Sequence, residues 1–71
     1  MKNDIKMLDV VALIENLWDR GLMIGQVGTV VEILDDGVFE VEFCDNEGKT
    51  YNSLALTAEQ LMTLHYAPVA A

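Results

Sequence analysis

Short apolar runs alternate with polar, glycine-containing clusters along this chain. Two of the runs, residues 27–34 and 38–44, are rich in β-branched and aromatic residues, and Asp36-Gly37 lies between them. An Asp-Gly pair between two alternating runs is typical of a β-hairpin. The pattern therefore predicts two adjacent antiparallel strands in the middle of the chain.

The same alternation predicts the register of this hairpin. A two-residue turn would place Glu32 opposite Val41 and bury a lone carboxylate. A three-residue loop over 35–37, with Gly37 in the left-handed region, gathers the large side chains on one face instead. The predicted pairs are Ile33 with Phe39, Val31 with Val41, and Thr29 with Phe43.

Three further strands follow from the remaining runs. Residues 7–14 are apolar at consecutive positions, which favours a central strand covered on both faces. Residues 50–56 predict a fourth strand and 61–65 a short fifth one. Between these two, residues 57–60 match a capping box, and the short remaining chain limits it to one 3₁₀ turn.

Residues 15–26 predict a long loop, punctuated by glycines, that folds its apolar side chains back onto the sheet. Those side chains are Trp18, Leu22, Met23 and Ile24.

The register after Asn46 stays open, because Tyr51 and Ser53 compete with Leu54 and Leu56 for the core. Four apolar residues occupy positions that cannot all face a small interior, and those left outside would join Trp18 and Met23, if these are exposed instead, as a candidate interface. The four residues are Val30, Val38, Leu54 and Leu56.

Five short strands, a long loop after the first and one helical turn before the last predict an all-β, SH3-like small barrel. At 71 residues the chain has room for a single domain, 1–71. We expect its core to span about 7–65 and its ends, 1–6 and 67–71, to be frayed.

Several blocks of sequence, in order, carry a family resemblance: residues 8–13, 25–32, 39–43, 48–51 and 54–61. Over residues 7–64 they resemble a family of small bacterial proteins, common in cyanobacteria, catalogued as domain of unknown function 4926. More loosely, 25–31 is similar to the strand and turn of KOW modules. The resemblance implies an SH3-like fold and no particular activity. It also implies a class of partner, because members of such families sit beside a larger, toxin-like protein.

Charge is the strongest functional signal. Four Lys and Arg stand against 12 Asp and Glu, giving a net charge of −8, and no Lys or Arg lies between positions 32 and 47. The predicted register sets Glu32 opposite Glu40, a like-charge pair that lowers stability. This acidity is either a solubilising coat or a docking face for a basic partner. The candidate partner-binding residues are Trp18, Glu32, Asp35, Asp36, Glu40, Glu42, Asp45 and Glu47.

Metal, cofactor and catalytic chemistry find no support in the residue pattern. Cys44 is the only cysteine and His65 the only histidine, too few for a structural zinc site. The cluster 45–48 lacks the spacing of a calcium loop and is explained by turn chemistry. No glycine-rich segment opens a helix to cradle a phosphate. We therefore expect no metal, no cofactor and no enzymatic activity.

Other partners are limited by charge and hydropathy. Only Lys2, Lys6, Arg20 and Lys49 could contact phosphates, which argues against direct nucleic-acid binding. No segment reaches the ~20 apolar residues of a membrane span, and we expect no signal peptide because acidic residues interrupt the first nine positions. A lone thiol suits a reducing compartment, so we expect a soluble cytoplasmic protein.

Three functional hypotheses remain. The first is a non-catalytic interaction module that docks a basic partner through its acidic hairpin, as an antitoxin, immunity-type or accessory subunit. The second is a KOW-type regulator associated with nucleic acid. The third is a homo-oligomeric structural module with no ligand.

Overall fold

In the computed structural model, which describes residues 4–68, all strands belong to one antiparallel sheet. The strands are β1 (Val10–Leu13), β2 (Val27–Asp35), β3 (Val38–Cys44), β4 (Thr50–Thr57) and β5 (Leu61–Thr63). Their order across the sheet is β4-β3-β2-β1-β5. The all-β, five-stranded prediction is confirmed.

The connections between strands are those of an SH3-like barrel. A long loop joins β1 to β2, a tight turn joins β2 to β3, and a 3₁₀ turn (Ala58–Gln60) joins β4 to β5. β1 pairs with both β2 and β5, so its predicted central position is confirmed. It is shorter than predicted because the chain reverses just before it: the Asp9 N–H donates to the Lys6 carbonyl at 3.1 Å, and Leu8 has a φ of 70°.

One apolar cluster fills the inside of the bent sheet. It contains Val11, Leu13, Leu22, Val30, Phe39, Val41, Phe43, Leu54, Leu56 and Leu61. Each strand contributes at least one of these side chains, and burial of each stabilises the fold by about 1.5–3 kcal/mol. Of the four apolar residues that could not all face the interior, Val30, Leu54 and Leu56 are buried and Val38 is half-buried.

The β2–β3 register agrees with the prediction near the turn and departs from it further along. Ile33 pairs with Phe39, as predicted. The pairing then shifts at a β-bulge between Val30 and Glu32. As a result Val30, rather than Val31, lies opposite Val41. Strict alternation misses this arrangement because a bulge adds one residue to a single strand.

Gly28 gives the physical reason for the shift. It pairs with Phe43, where Thr29 was expected. A Cβ at position 28 would lie 2.8 Å from the Glu42 carbonyl oxygen and 3.1 Å from the Phe43 ring. The aromatic side chain therefore packs over a residue with no side chain. The predicted register would have brought a threonine hydroxyl into the apolar interior, which is unfavourable.

The hairpin turn also differs from the prediction. Asp35 pairs with Val38, so Asp36 and Gly37 form a two-residue turn, and a second register shift lies between Ile33 and Asp35. Gly37 has a φ of 74°, as the left-handed position was predicted to have. The extra residue near the turn is thus accommodated inside β2 instead of in a three-residue loop.

The fourth strand is confirmed, and so is the turn that follows it. Val41 pairs with Leu54 and Phe39 with Leu56, which directs both leucines into the core. A register shift between Phe43 and Cys44 leaves Tyr51 at a bulge, half exposed. In the capping box of the 3₁₀ turn, the Gln60 Oε1 accepts from the Thr57 N–H at 2.9 Å. β5 is shorter than predicted and ends at Thr63.

The long loop folds back onto the sheet through fewer side chains than expected. Leu22 is fully buried, and Leu17, which forms an isolated bridge with it, packs against the core. The residues between them form a 3₁₀ turn, Trp18–Arg20, that was not predicted. Because this turn projects outward from its two anchored leucines, Trp18 is 68% exposed. Met23 and Ile24 are exposed as well, so only Leu22 of the four apolar side chains folds back onto the sheet as predicted, and the alternative of an exposed Trp18 and Met23 is the one found.

At the N-terminal end, Ile5 packs against the core cluster. At the other end, Tyr66 is 84% exposed. The predicted fraying of 1–6 and 67–71 falls partly on residues 1–3 and 69–71, which lie outside the described residues.

Candidate docking face

The outer face of the β2–β3 hairpin presents carboxylates on neighbouring strands. Glu32 lies directly opposite Glu40, as predicted. Glu42 follows two residues along β3, so it shares the face of Glu40. Glu40 and Glu42 are half-buried and Glu32 is exposed. We call Glu32, Glu40 and Glu42 the acidic face.

The acidic face includes a hydrogen bond that the sequence did not reveal. The Ser53 hydroxyl on β4 donates to the Glu40 Oε2 at 2.7 Å. Ser53 lies opposite Glu42, diagonally across from Glu40. This bond restricts the Glu40 side chain and leaves its negative charge uncompensated. The contact was not predictable because it depends on the register of β4, which the pattern left open.

No ion pair balances these carboxylates within residues 4–68. The three Lys and Arg residues in this part of the chain lie outside β2 and β3: Lys6 before β1, Arg20 in the long loop, and Lys49 in the turn before β4. The sheet therefore presents a surface of one sign, and carboxylates that face each other across strands repel.

Asp35 and Asp36 extend the acidic face at the hairpin turn. Both are exposed, and the Asp35 Oδ1 accepts from the Asp36 N–H at 2.7 Å. They lie next to the Glu32–Glu40 pair, since Asp35 pairs with Val38 at the start of β3. Five of the predicted site residues are thus gathered along one hairpin.

Asp45 and Glu47 lie at the opposite end of β3, about 20 Å from the hairpin turn for a strand of this length. The Asp45 Oδ1 accepts from the backbone N–H groups of Glu47, at 2.9 Å, and Lys49, at 3.0 Å. This carboxylate therefore shapes the β3–β4 turn, which confirms the turn chemistry predicted for 45–48.

Trp18 is separated from the acidic face. The neighbouring Arg20 carbonyl accepts from the Asn52 Nδ2 at 2.9 Å, which attaches the long loop to β4. Asn52 alternates with Ser53 and shares the inner face of Leu54. Trp18 thus belongs to a loop fixed on the inner side of β4, whereas Glu40 and Glu42 point outward. The structure does not bring all the predicted site residues together.

The single thiol and imidazole are also far from any catalytic arrangement. Cys44, at the end of β3, is exposed, and its Sγ lies 3.4 Å from the Thr50 Oγ1. His65 is exposed beyond β5. Across residues 4–68 no group of three or more His, Cys, Asp or Glu could hold a metal ion.

The Glu32–Glu40 repulsion gives a testable prediction. Replacing Glu32 with Lys turns a like-charge pair into an opposite-charge pair, and we expect the free energy of unfolding to rise by about 0.2–1 kcal/mol at low salt. The gain should shrink at ~1 M salt, where charges are screened within ~3 Å. Urea denaturation at both salt concentrations measures it.

Glu59→Lys serves as the control, because it changes the net charge equally at an exposed position in the 3₁₀ turn. An equal stabilisation in both variants would show that overall charge, and not the cross-strand pair, is responsible.

No described helix is long and apolar enough to cross a membrane.

Comparison with known proteins assigns the chain to a family by its sequence and finds no similar solved structure. Neither the curated proteins nor the solved structures gave a significant match. One family model does match, described as a domain of unknown function (DUF4926), and it spans residues 7–63, most of the chain. The chain therefore belongs to the DUF4926 family.

Proposed function

We propose that this protein is a non-catalytic interaction module that docks a basic partner protein through its acidic face. The observation that carries the proposal is the Glu32–Glu40 pair, which opposes two carboxylates with no cation beside them in residues 4–68. Such a pair lowers the stability of the isolated chain. A partner that brings Lys or Arg to this face removes the repulsion. The repulsion that destabilises the free chain therefore makes the free energy of binding more favourable.

A basic protein fits this face better than a nucleic acid does. Phosphate binding depends on Lys and Arg, and the outer faces of β2 and β3 carry none. We infer that the partner is a larger, toxin-like protein, and that this chain acts as an antitoxin, immunity-type or accessory subunit. We place this activity in the cytoplasm of a bacterium, where a lone exposed thiol such as Cys44 stays reduced.

Self-association is the second candidate, and a separate observation favours it. Ala12 lies between Val27 on β2 and Met62 on β5, on the outer face of β1. Val27 and Met62 are 44% and 52% exposed, so they form an apolar strip where the sheet faces outward. Sedimentation over a range of concentrations distinguishes a monomer with a docking face from an oligomer that covers this strip.

A matched pair of triple variants tests the first proposal. Replacing Glu32, Glu40 and Glu42 with Lys reverses the acidic face. Replacing Asp4, Asp19 and Glu59 with Lys changes the net charge by the same amount at other exposed positions.

We expect the first variant to fold and to associate with the partner at least tenfold more slowly, because steering by charge acts mainly on the association rate. The control should associate nearly as fast as the unmodified chain. Equal rates in the two variants would refute the docking face and leave only a general effect of charge.

A further inference from the structure

The C-terminal end of β2 pairs with a strand on one side only, where β3 lies. β1 accompanies β2 as far as Val30, whose N–H donates to the Asp9 carbonyl at 2.9 Å and whose carbonyl accepts from the Leu8 N–H at 2.8 Å. β2 continues to Asp35, and within residues 4–68 no backbone hydrogen bond joins residues 31–35 to anything but β3. We call residues 31–35 the open edge.

The backbone groups of Ile33 point outward from this edge. Val30 and Ile33 pair with Val41 and Phe39, which are two residues apart on β3. Residues two apart on a strand direct their N–H and C=O groups the same way. Val41 and Phe39 therefore direct their backbone groups the same way, away from β2. Their partners Val30 and Ile33 correspondingly direct theirs away from β3, and at Ile33 this is the side where β1 has ended.

The unpaired edge of β4 is better protected than the open edge of β2. Its Ser53 N–H donates to the Asn52 Oδ1 and its Thr57 N–H donates to the Gln60 Oε1, both at 2.9 Å. Side chains thus occupy two of the outward N–H groups of that strand, a common protection of exposed edges. The other terminal strand, β5, has only three residues. The open edge of β2 is the part of the sheet best suited to accept another strand.

Charge and exposure around the open edge define what could be added. Ile33 and Leu34 are 49% and 45% exposed. Glu32, Asp35 and Asp36 surround them and are exposed too. A second copy of this chain would bring the same carboxylates against each other, which is unfavourable. A strand with Lys or Arg beside aliphatic residues would satisfy both the charges and the apolar side chains.

We propose that the partner binds by strand addition: an extended basic segment pairs with the open edge around Ile33. The backbone bonds to Ile33 set the register, and basic side chains of the segment face Glu32, Asp35 and Asp36. This binding mode is known for sheets with a free edge. It rests on the proposed function, since it specifies how the basic partner engages the acidic hairpin.

A synthetic peptide of about seven alternating Lys and Val residues, with blocked ends, is the probe. Its control is the same peptide methylated at every backbone nitrogen, which keeps the charges and side chains but cannot donate to the Ile33 carbonyl. We expect the unmodified peptide to bind about tenfold more tightly, and the Ile33 amide to exchange with solvent about tenfold more slowly in its presence.

The possible outcomes separate the two proposals. Equal affinity of the two peptides, with unchanged exchange at Ile33, would overturn strand addition and leave docking by charge intact. Failure of both peptides to bind at low salt would overturn strand addition and count against the acidic face as well. Self-association of the chain at the open edge, seen as slowed Ile33 exchange that depends on protein concentration, would assign the edge to a second copy.

Discussion

Gly28→Ala is expected to destabilise the fold by about 2–3 kcal/mol, a large part of what a chain this small possesses. The added Cβ would lie 2.7 Å from the Val41 Cγ1 and 2.8 Å from the Glu42 carbonyl oxygen. The first contact could relax through a side-chain rotation. The second cannot, because the carbonyl belongs to the β2–β3 ladder, so the strands must separate. Thermal and urea unfolding measure the loss.

Gly21→Ala is the control for Gly28→Ala. Gly21 has a φ of 72°, and a Cβ there meets nothing within 4 Å. We expect this variant to lose only the ~1–2 kcal/mol of the left-handed conformation. A Gly28→Ala variant as stable as the unmodified chain would mean that β2 does not pass so close to β3, and would invalidate the register described above.

Phe43→Ala is expected to have the largest effect of any single core truncation, about 3–5 kcal/mol. The Phe43 side chain is fully buried, faces Gly28 across the ladder, and lies 6.4 Å from the Tyr51 ring. With a glycine opposite, β2 offers no side chain at this position to fill the cavity that the ring leaves. We expect the variant to be largely unfolded at 37 °C by circular dichroism.

Tyr51→Phe provides the comparison for Phe43→Ala. It keeps the ring beside Phe43 and removes only the hydroxyl that accepts from the Gln26 Nε2 at 2.9 Å. Because that bond is exposed, its loss should cost about 1 kcal/mol or less. Similar losses in the two variants would contradict the placement of Phe43 at the centre of the core.

Local pattern was sufficient to predict the five strands, although β1 and β5 are shorter than predicted. The alternation in 27–34 and 38–44 gave the hairpin and the Glu32–Glu40 pair, and the spacing of Thr57 and Gln60 gave the 3₁₀ turn. These features depend on neighbours in sequence or on a single turn. The family resemblance over residues 7–64 also rests on local blocks of sequence, and the family match to residues 7–63 confirms it.

Features that depend on packing between distant residues were not predictable. The bulge near Val31 exists because Gly28 fits under Phe43, and no periodic pattern encodes that fit. The exposure of Trp18 follows from the anchoring of Leu17 and Leu22 on both sides of it. The apolar character of a loop residue therefore does not by itself predict its burial, and it does not predict that Trp18 lies apart from the acidic face.

Capture of the partner from a lysate of the native host, at low and at high salt, tests the docking face most directly. Mass spectrometry of the retained proteins identifies what binds, and the acidic-face triple variant serves as the control. We expect one stoichiometric basic protein that is released by high salt and is not retained by the variant. Retention of nothing at low salt, together with a self-associated chain in sedimentation, would contradict this expectation and make the acidic hairpin a solubilising surface.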